Sequence, residues 1–433
     1  MAGLRSSKLT GQGRFSASSL VTHCSQLWGV GPGVRRPQLF VIRFSTTEYG
    51  GDRVTVTPPE GGTTTTTITD GRDRTVEVQQ HTPTGVDTTS YAYTPAGQLA
   101  EVKDPGDNTW SYEYDLRGRK TAETDPDRGH TTYDKVGNRV TETQYALSGD
   151  ISKTYAYTGH TLDSVTTTHP GGTNLDTYDY DPTGNTTSRA LAGDDQTLEW
   201  DAEGHLAKVT ENSQETSYVY TADGDRLIRR DPDAVTLFLG NQEVRLDRES
   251  REVSATRYYE HAGRTVAVRT ESGVSWLASD HNGTGEITID AASMQVNRRR
   301  HLPFGEPRGT APSAWLGQRG FVGGTLDTST GLTHLGAREY DPTVGRFLSV
   351  DPIMDLADPQ QMHGYTYANN NPATFTDPDG LYPICGGGAG GDCAVEGPIW
   401  QSNPSKAQIR SGSRSAAADA VAVRVLIAWW MIR

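Results

Sequence analysis

The chain has 433 residues, 34% of them hydrophobic, with 48 Gly, 22 Pro, and 19 Tyr against 8 Phe. That apolar share is low for a large globular core and suits many short strands, tight turns and half-buried aromatics. The net charge of −14 argues against nucleic acid as a main partner, because phosphate binding needs concentrated Lys and Arg.

Residues 1–45 carry six basic residues (Arg5, Lys8, Arg14, Arg35, Arg36, Arg43) and no acid. No run of seven or more apolar residues follows them, so the segment reads as a disordered basic head or a misassigned start rather than a signal peptide. Residues 46–85, with Thr63–Thr67, read as decayed or strand-poor early repeats. Over 46–234 an aromatic followed four positions later by Gly recurs: Tyr93/Gly97, Tyr114/Gly118, Tyr133/Gly137, Tyr180/Gly184, Trp200/Gly204 and Tyr220/Gly224. With Tyr157 included, successive aromatics lie 21, 19, 24, 23, 20 and 20 residues apart. That self-similarity marks a repeat array.

Each unit reads as strand, turn, strand, turn. In Tyr112-Glu113-Tyr114-Asp115-Leu116-Arg117-Gly118 the alternation is that of a strand, Asp115 can accept turn N–H groups, and Gly118 supplies a positive φ. One hairpin is marginal in water, so the units must bury their aromatic faces against each other in a continuous, curling sheet. Seven or so units are too few to close a cavity, which makes the array an incomplete wall. Residues 235–330 read as degenerate repeats, 331–381 as a segment dense in Asp-Pro, Asn and Tyr, and 382–433 as a variable Gly/Ser/Ala-rich tail with a weak helical tendency near 416–432.

Several chemistries find no support. Cys24, Cys385 and Cys393 cannot build a disulfide framework and lack zinc-site spacing. Asp280-His281-Asn282-Gly283 fails as a calcium loop because Ala291 stands at the twelfth position, so it reads as a turn. Ala420–Ile432 is interrupted by Arg424 and too short to span a bilayer. No metal, cofactor or membrane span is expected. Trp110 and Trp200 could stack on sugars, although inward packing is the simpler role.

The repeats resemble YD (RHS) repeats, through Tyr114-Asp115-Leu116-Arg117-Gly118 and Tyr180-Asp181-Pro182-Thr183-Gly184. The stretch Gly336-Ala337-Arg338-Glu339-Tyr340-Asp341-Pro342 through Asp351-Pro352 resembles the RHS-repeat-associated core domain, as does Tyr365 through Asp377-Pro378-Asp379-Gly380-Leu381. The resemblance implies an all-β fold in which tandem hairpins form a curled, partial shell capped by the core segment. It also implies a secreted or surface toxin carrier of bacterial polymorphic-toxin type, with an immunity protein as partner where a toxin is present. The core's implied activity is aspartyl autoproteolysis after Leu381, with Asp351 and Asp377 as the paired carboxylates, Arg346 as orienting cation, and Gly380, Leu381 and Tyr382 forming the cleavage site. Met354 stands where the family has Gly, and the spacing between the two Asp-Pro motifs is longer than usual. The alternative is a scaffold without chemistry, either a remnant or a cell-surface recognition module for carbohydrate. No toxic activity is assigned to the tail.

Overall fold

A computed structural model describes residues 45–385, except 127, 147, 262, 311, 313–314, 354–361 and 374. The basic head before residue 45, Met354, Cys393 and the tail beyond residue 385 lie outside the described residues. The described part is almost entirely β, with two short 3₁₀ turns and no α-helix. Among these residues no helix is long and apolar enough to cross a membrane.

Twenty-five strands, from Thr46–Gly50 to Val296–Arg298, form one antiparallel sheet. Each strand pairs with the next in sequence, and the first and last strands do not pair with each other, so the sheet stays open. The strand-poor expectation for 46–85 is corrected. Thr46–Gly50, Arg53–Thr57, Thr64–Thr69 and Thr75–Thr82 are regular strands. Threonine is β-branched and fits a pleated, half-buried surface without aromatics. The period-free stretch after residue 235 likewise continues as paired strands up to Arg298.

The repeat signature has a local cause. The strand register shifts at the aromatic itself for Tyr93, Tyr114, Tyr157, Tyr180, Trp200 and Tyr220. Such bulges bend a strand and raise its twist, so one per repeat curls the sheet steadily. Immediately after the aromatic, Asp115 Oδ1 accepts Arg117 N at 2.9 Å and Arg119 N at 3.0 Å, while Gly118 closes the turn at φ 84°. Asp181 does the same for Thr183 N and Asn185 N, at 2.8 and 2.9 Å, and Gly184 N donates to Asp181 O at 3.0 Å.

The remaining repeat glycines occupy the same place. Gly97 N donates to Thr94 O at 2.9 Å, Gly137 N to Asp134 O at 3.2 Å, Gly204 N to Asp201 O at 3.2 Å and Gly224 N to Thr221 O at 3.0 Å. All four have a positive φ. The first and last of these turns lack the capping Asp. There the Thr94 and Thr221 hydroxyls stand in, each accepting one backbone N–H at 3.2 Å, from Gln98 and Asp225. The unit at Tyr157 departs from this pattern because Thr158 pairs with Thr161 across Gly159-His160, a two-residue hairpin turn.

Neighbouring repeats are tied on both sides of this turn. The aromatic's polar tip reaches back to the preceding unit. Tyr93 OH donates to Thr75 O at 2.7 Å, Tyr114 OH to Leu99 O at 2.9 Å, Trp200 Nε1 to Thr186 O at 2.7 Å and Tyr220 OH to Leu206 O at 2.9 Å. Phe could not make the bonds that Tyr93, Tyr114 and Tyr220 make here. The residue after the turn glycine reaches forward, as with Gln98 Nε2 to Gly118 O at 2.9 Å and Asn138 Nδ2 to Gly159 O at 2.9 Å.

The segment after residue 320 packs on this sheet. It contains a four-stranded sheet of Thr325–Asp327, Leu332–Leu335, Arg338–Asp341 and Arg346–Phe347. Leu332 and Leu348 join Leu198, Leu206, Val209 and Tyr218 in one buried cluster, and Val344 joins Tyr155, Leu162, Val165 and Tyr178 in another. Phe321, Leu335, Tyr340, Phe347 and Tyr367 form the segment's own largely aromatic core, which Phe304 joins from the stretch before it. Buried ion pairs fix the docking. Arg226 meets Asp327 at 2.8 Å and Glu339 at 2.7 Å, and Arg189 meets Asp341 at 2.5 Å.

Candidate active site

The Asp377–Leu381 segment is seated on the hairpin turn at Gly336 by close backbone approach. Ala337 N donates to Asp379 O at 3.0 Å. Gly336 (φ 55°) and Gly380 (φ 67°) make that approach feasible. A Cβ on Gly336 would lie 2.4 Å from Asp379 O, and one on Gly380 would lie 2.3 Å from Leu335 O. Phe375–Thr376 then pairs with Ile384–Cys385, so residues 377–383 form a loop whose two ends are tied together.

Arg338, on the strand that follows this turn, is the hub. Its Nη2 lies 2.7 Å from Asp351 Oδ2 and 3.4 Å from Asp377 Oδ2. Nη1 donates to Gly364 O at 3.0 Å, and Nε donates to Gly380 O. The guanidinium lies over the Phe347 ring, 3.6 Å from its centroid, and is buried. Two carboxylates from distant segments therefore converge on one guanidinium nitrogen. Asp351 is held further by its own N–H to Gly364 O at 2.8 Å and by Ile353 N on Oδ1 at 2.8 Å. Asp377 Oδ1 accepts Leu381 N at 3.0 Å.

Burial sets the electrostatics of the pair. It pushes the Asp377 carboxyl up to about 7, with Arg338 opposing the shift and Asp379 and Asp351 adding to it. Asp351 is also raised by burial, against the pull of Arg338, but it is less buried and has the shorter ion pair. Near neutral pH such a pair can hold one proton between two acids, which is the arrangement that general acid–base hydrolysis uses.

Of the residues expected from sequence, Asp351, Asp377, Gly380 and Leu381 come together, with Tyr382 at their edge. Arg346 does not join them, and its expected orienting position is taken by Arg338. In its strand Arg346 pairs with Asp341, and its guanidinium lies near the Tyr157 and Tyr365 rings, 5.0 and 5.2 Å from their centroids, and donates to His160 O. Arg338 was visible inside the core motif but carried no local signal of its role. Asp379 was also passed over. Its Oδ1 accepts Leu381 N at 3.2 Å and Tyr382 N at 3.4 Å. The peptide held most closely is thus Gly380–Leu381, with its carbonyl on Arg338 and its N–H on Asp377, one bond before the expected scissile bond.

The repeat glycines take no part in this convergence. Gly97, Gly137, Gly204 and Gly224 belong to turns of the large sheet, where their role is to close the hairpins. Gly137 additionally meets the core segment, its carbonyl accepting Asn370 Nδ2 at 2.8 Å, a docking contact rather than a catalytic one. Elsewhere, Asp201, Glu203 and His205 gather their ligand atoms within 4.8 Å, but Asp201 there caps its own repeat turn through Glu203 N and His205 N.

A model of the Teneurin YD-shell family matches residues 64–373. The tRNA nuclease WapA of Bacillus subtilis (strain 168) is 29% identical over 259 residues, covering 58% of this chain and 11% of WapA. Teneurin-3 of Mus musculus is 25% identical over 291 residues, covering 66% of this chain and 10% of that protein. Among solved structures, a crystal structure of TcdB2-TccC3 matches with a TM-score of 0.45 at 19% identity, covering 78% of this chain and 21% of that one. The chain therefore spans about a tenth of the length of these two curated relatives. With the family match running from the Thr-rich strands into the Asp-Pro-rich segment, the chain belongs to the Teneurin YD-shell family and is an RHS/YD-repeat protein.

Proposed function

We propose that this chain is the shell-and-core portion of a secreted or surface toxin carrier, and that its core hydrolyses the chain's own Leu381–Tyr382 bond. One observation carries the reading: Asp351 and Asp377 share Arg338 Nη2 beside a chain segment whose Leu381 amide is bonded to Asp377. Asp351, paired with Arg338, takes a proton from water as the water oxygen bonds to the Leu381 carbonyl carbon. Protonated Asp377 donates to the carbonyl oxygen. The proton held by Asp351 then passes to Tyr382 N, and as the C–N bond breaks the other returns to Asp377. The substrate is already in place, so positioning supplies much of the rate. Arg338 orients both acids and the Gly380 carbonyl rather than transferring a proton.

The relatives' printed names include nucleases, but the chain spans only 11% of WapA, so no nuclease activity is assigned to it. An immunity protein is the expected partner of any toxin carried downstream. A second reading, a scaffold without chemistry, is favoured by the capping geometry, since Asp351, Asp377 and Asp379 all accept backbone N–H groups two to four residues ahead. Intact-mass analysis of the purified chain beside Asp351→Asn and Asp377→Asn separates the two. Autoproteolysis gives a split wild type and two full-length variants, whereas a scaffold gives three full-length chains.

A further inference from the structure

Asp377 and Asp379 both accept the Leu381 N–H, at 3.0 and 3.2 Å, and Asp379 Oδ1 also accepts Tyr382 N at 3.4 Å. Tyr382 N is the leaving nitrogen of the hydrolysis proposed above, on which this inference rests. That atom changes charge along the reaction. It begins as a neutral amide and ends as an α-amine that is largely protonated at neutral pH. A fixed carboxylate beside it is placed where positive charge develops.

Asp379 is held in place through its backbone as well as through its carboxylate. Its carbonyl accepts Ala337 N at 3.0 Å, and the absent Cβ of Gly336 is what lets that carbonyl approach. Its carboxylate is also the third acid around Arg338, whose guanidinium it helps to keep charged.

We propose that Asp379 is a further catalytic residue of this site, anchoring the Leu381–Tyr382 peptide and stabilising the positive charge that develops on Tyr382 N when it takes the proton from Asp351, before the C–N bond breaks. The proton on the leaving nitrogen comes from the attacking water by way of Asp351, so Asp379 supplies charge and position and no proton.

A turn-capping aspartate and a charge-stabilising one respond differently to Asp379→Asn. Asparagine keeps the accepting oxygen and loses only the charge. The full-length chain is synthesised in a cell-free system, and the loss of intact mass is followed in time for wild type, Asp379→Asn, Asp379→Ala and Asp377→Asn, with thermal midpoints measured alongside. The expected result is cleavage slowed on the order of tenfold or more in Asp379→Asn, at least as much in Asp379→Ala, and absent in Asp377→Asn, with the Asp379→Asn midpoint unchanged. Cleavage of Asp379→Asn at the wild-type rate overturns the proposal and leaves the dyad reading standing, as does a slower rate that merely tracks a lowered midpoint. A wild type that never splits overturns both.

Discussion

Arg226 is the clamp whose removal should be felt most. It holds Asp327 through contacts of 2.8 and 2.9 Å and Glu339 at 2.7 Å, with all three side chains nearly excluded from solvent. Arg226→Met keeps length and apolar packing but leaves two buried carboxylates short of a cation. Breaking a buried pair from one side costs about 3–5 kcal/mol. The Glu339 carboxyl gives an independent figure. Arg226, and then His334, outweigh the effect of burial and hold it down at about 2. An unperturbed Glu titrates near 4.3, so the depression contributes on the order of 3 kcal/mol. The folded value lies below the unfolded one, so this stability is present above about pH 4.3 and lost as the pH falls towards 2. Urea denaturation should therefore show Arg226→Met destabilised by about 3 kcal/mol at pH 7, with the gap to wild type narrowing below pH 4.3. A loss under about 1 kcal/mol at pH 7, or a gap independent of pH, would refute the view that this clamp docks the core on the sheet.

Burial raises Asp377 to about 7, so cleavage should weaken as the pH rises through that value, because the proton-donating form is lost; a pH–rate profile by quenched intact mass checks this. The same shift predicts that Asp377→Asn gains stability relative to wild type as the pH rises from about 4 to 7, since across that window the folded chain must keep a proton on the buried acid that the unfolded chain has released; denaturation at the two pH values measures it. Gly336→Ala should abolish cleavage and leave the large sheet's circular dichroism intact, because its Cβ would meet Asp379 O at 2.4 Å; the mass and the spectrum are the two readouts. Tyr114→Phe should cost about 1 kcal/mol by losing one inter-repeat hydrogen bond to Leu99 O, read as a shift in the denaturation midpoint.

The array was legible because each repeat concentrates its structural work in one short string. The aromatic marks the bulge, the following Asp caps the turn, and the Gly takes the positive φ, so periodicity of sequence and of structure coincide. Even where Thr94 or Thr221 replaces the Asp, Gly97 and Gly224 keep their places, because a hydroxyl can accept one of the same N–H groups. The early strands were underread for the converse reason. Thr64–Thr69 has no aromatic to mark it, yet the turn after it, with Asp70 accepting Arg72 N and Arg74 N, is the same device. The two carboxylates could be named from their Asp-Pro motifs, but their cation could not. Arg346 is nearer to Asp351 in sequence, and strand pairing carries it to the aromatic wall instead. Arg338 reaches both acids because three separated segments meet, and nothing in its immediate neighbours encodes that meeting. Asp379 was hidden by its setting between two more familiar motif residues.

N-terminal sequencing of the fragment released from freshly purified wild-type protein tests directly which peptide bond is cut. Hydrolysis by the Asp351–Asp377 pair predicts a fragment beginning at Tyr382, absent from Asp351→Asn and Asp377→Asn. A fragment beginning at Leu381 would move the reaction to the peptide bracketed by Arg338 and Asp377. No fragment, or one that survives both substitutions, would contradict the account.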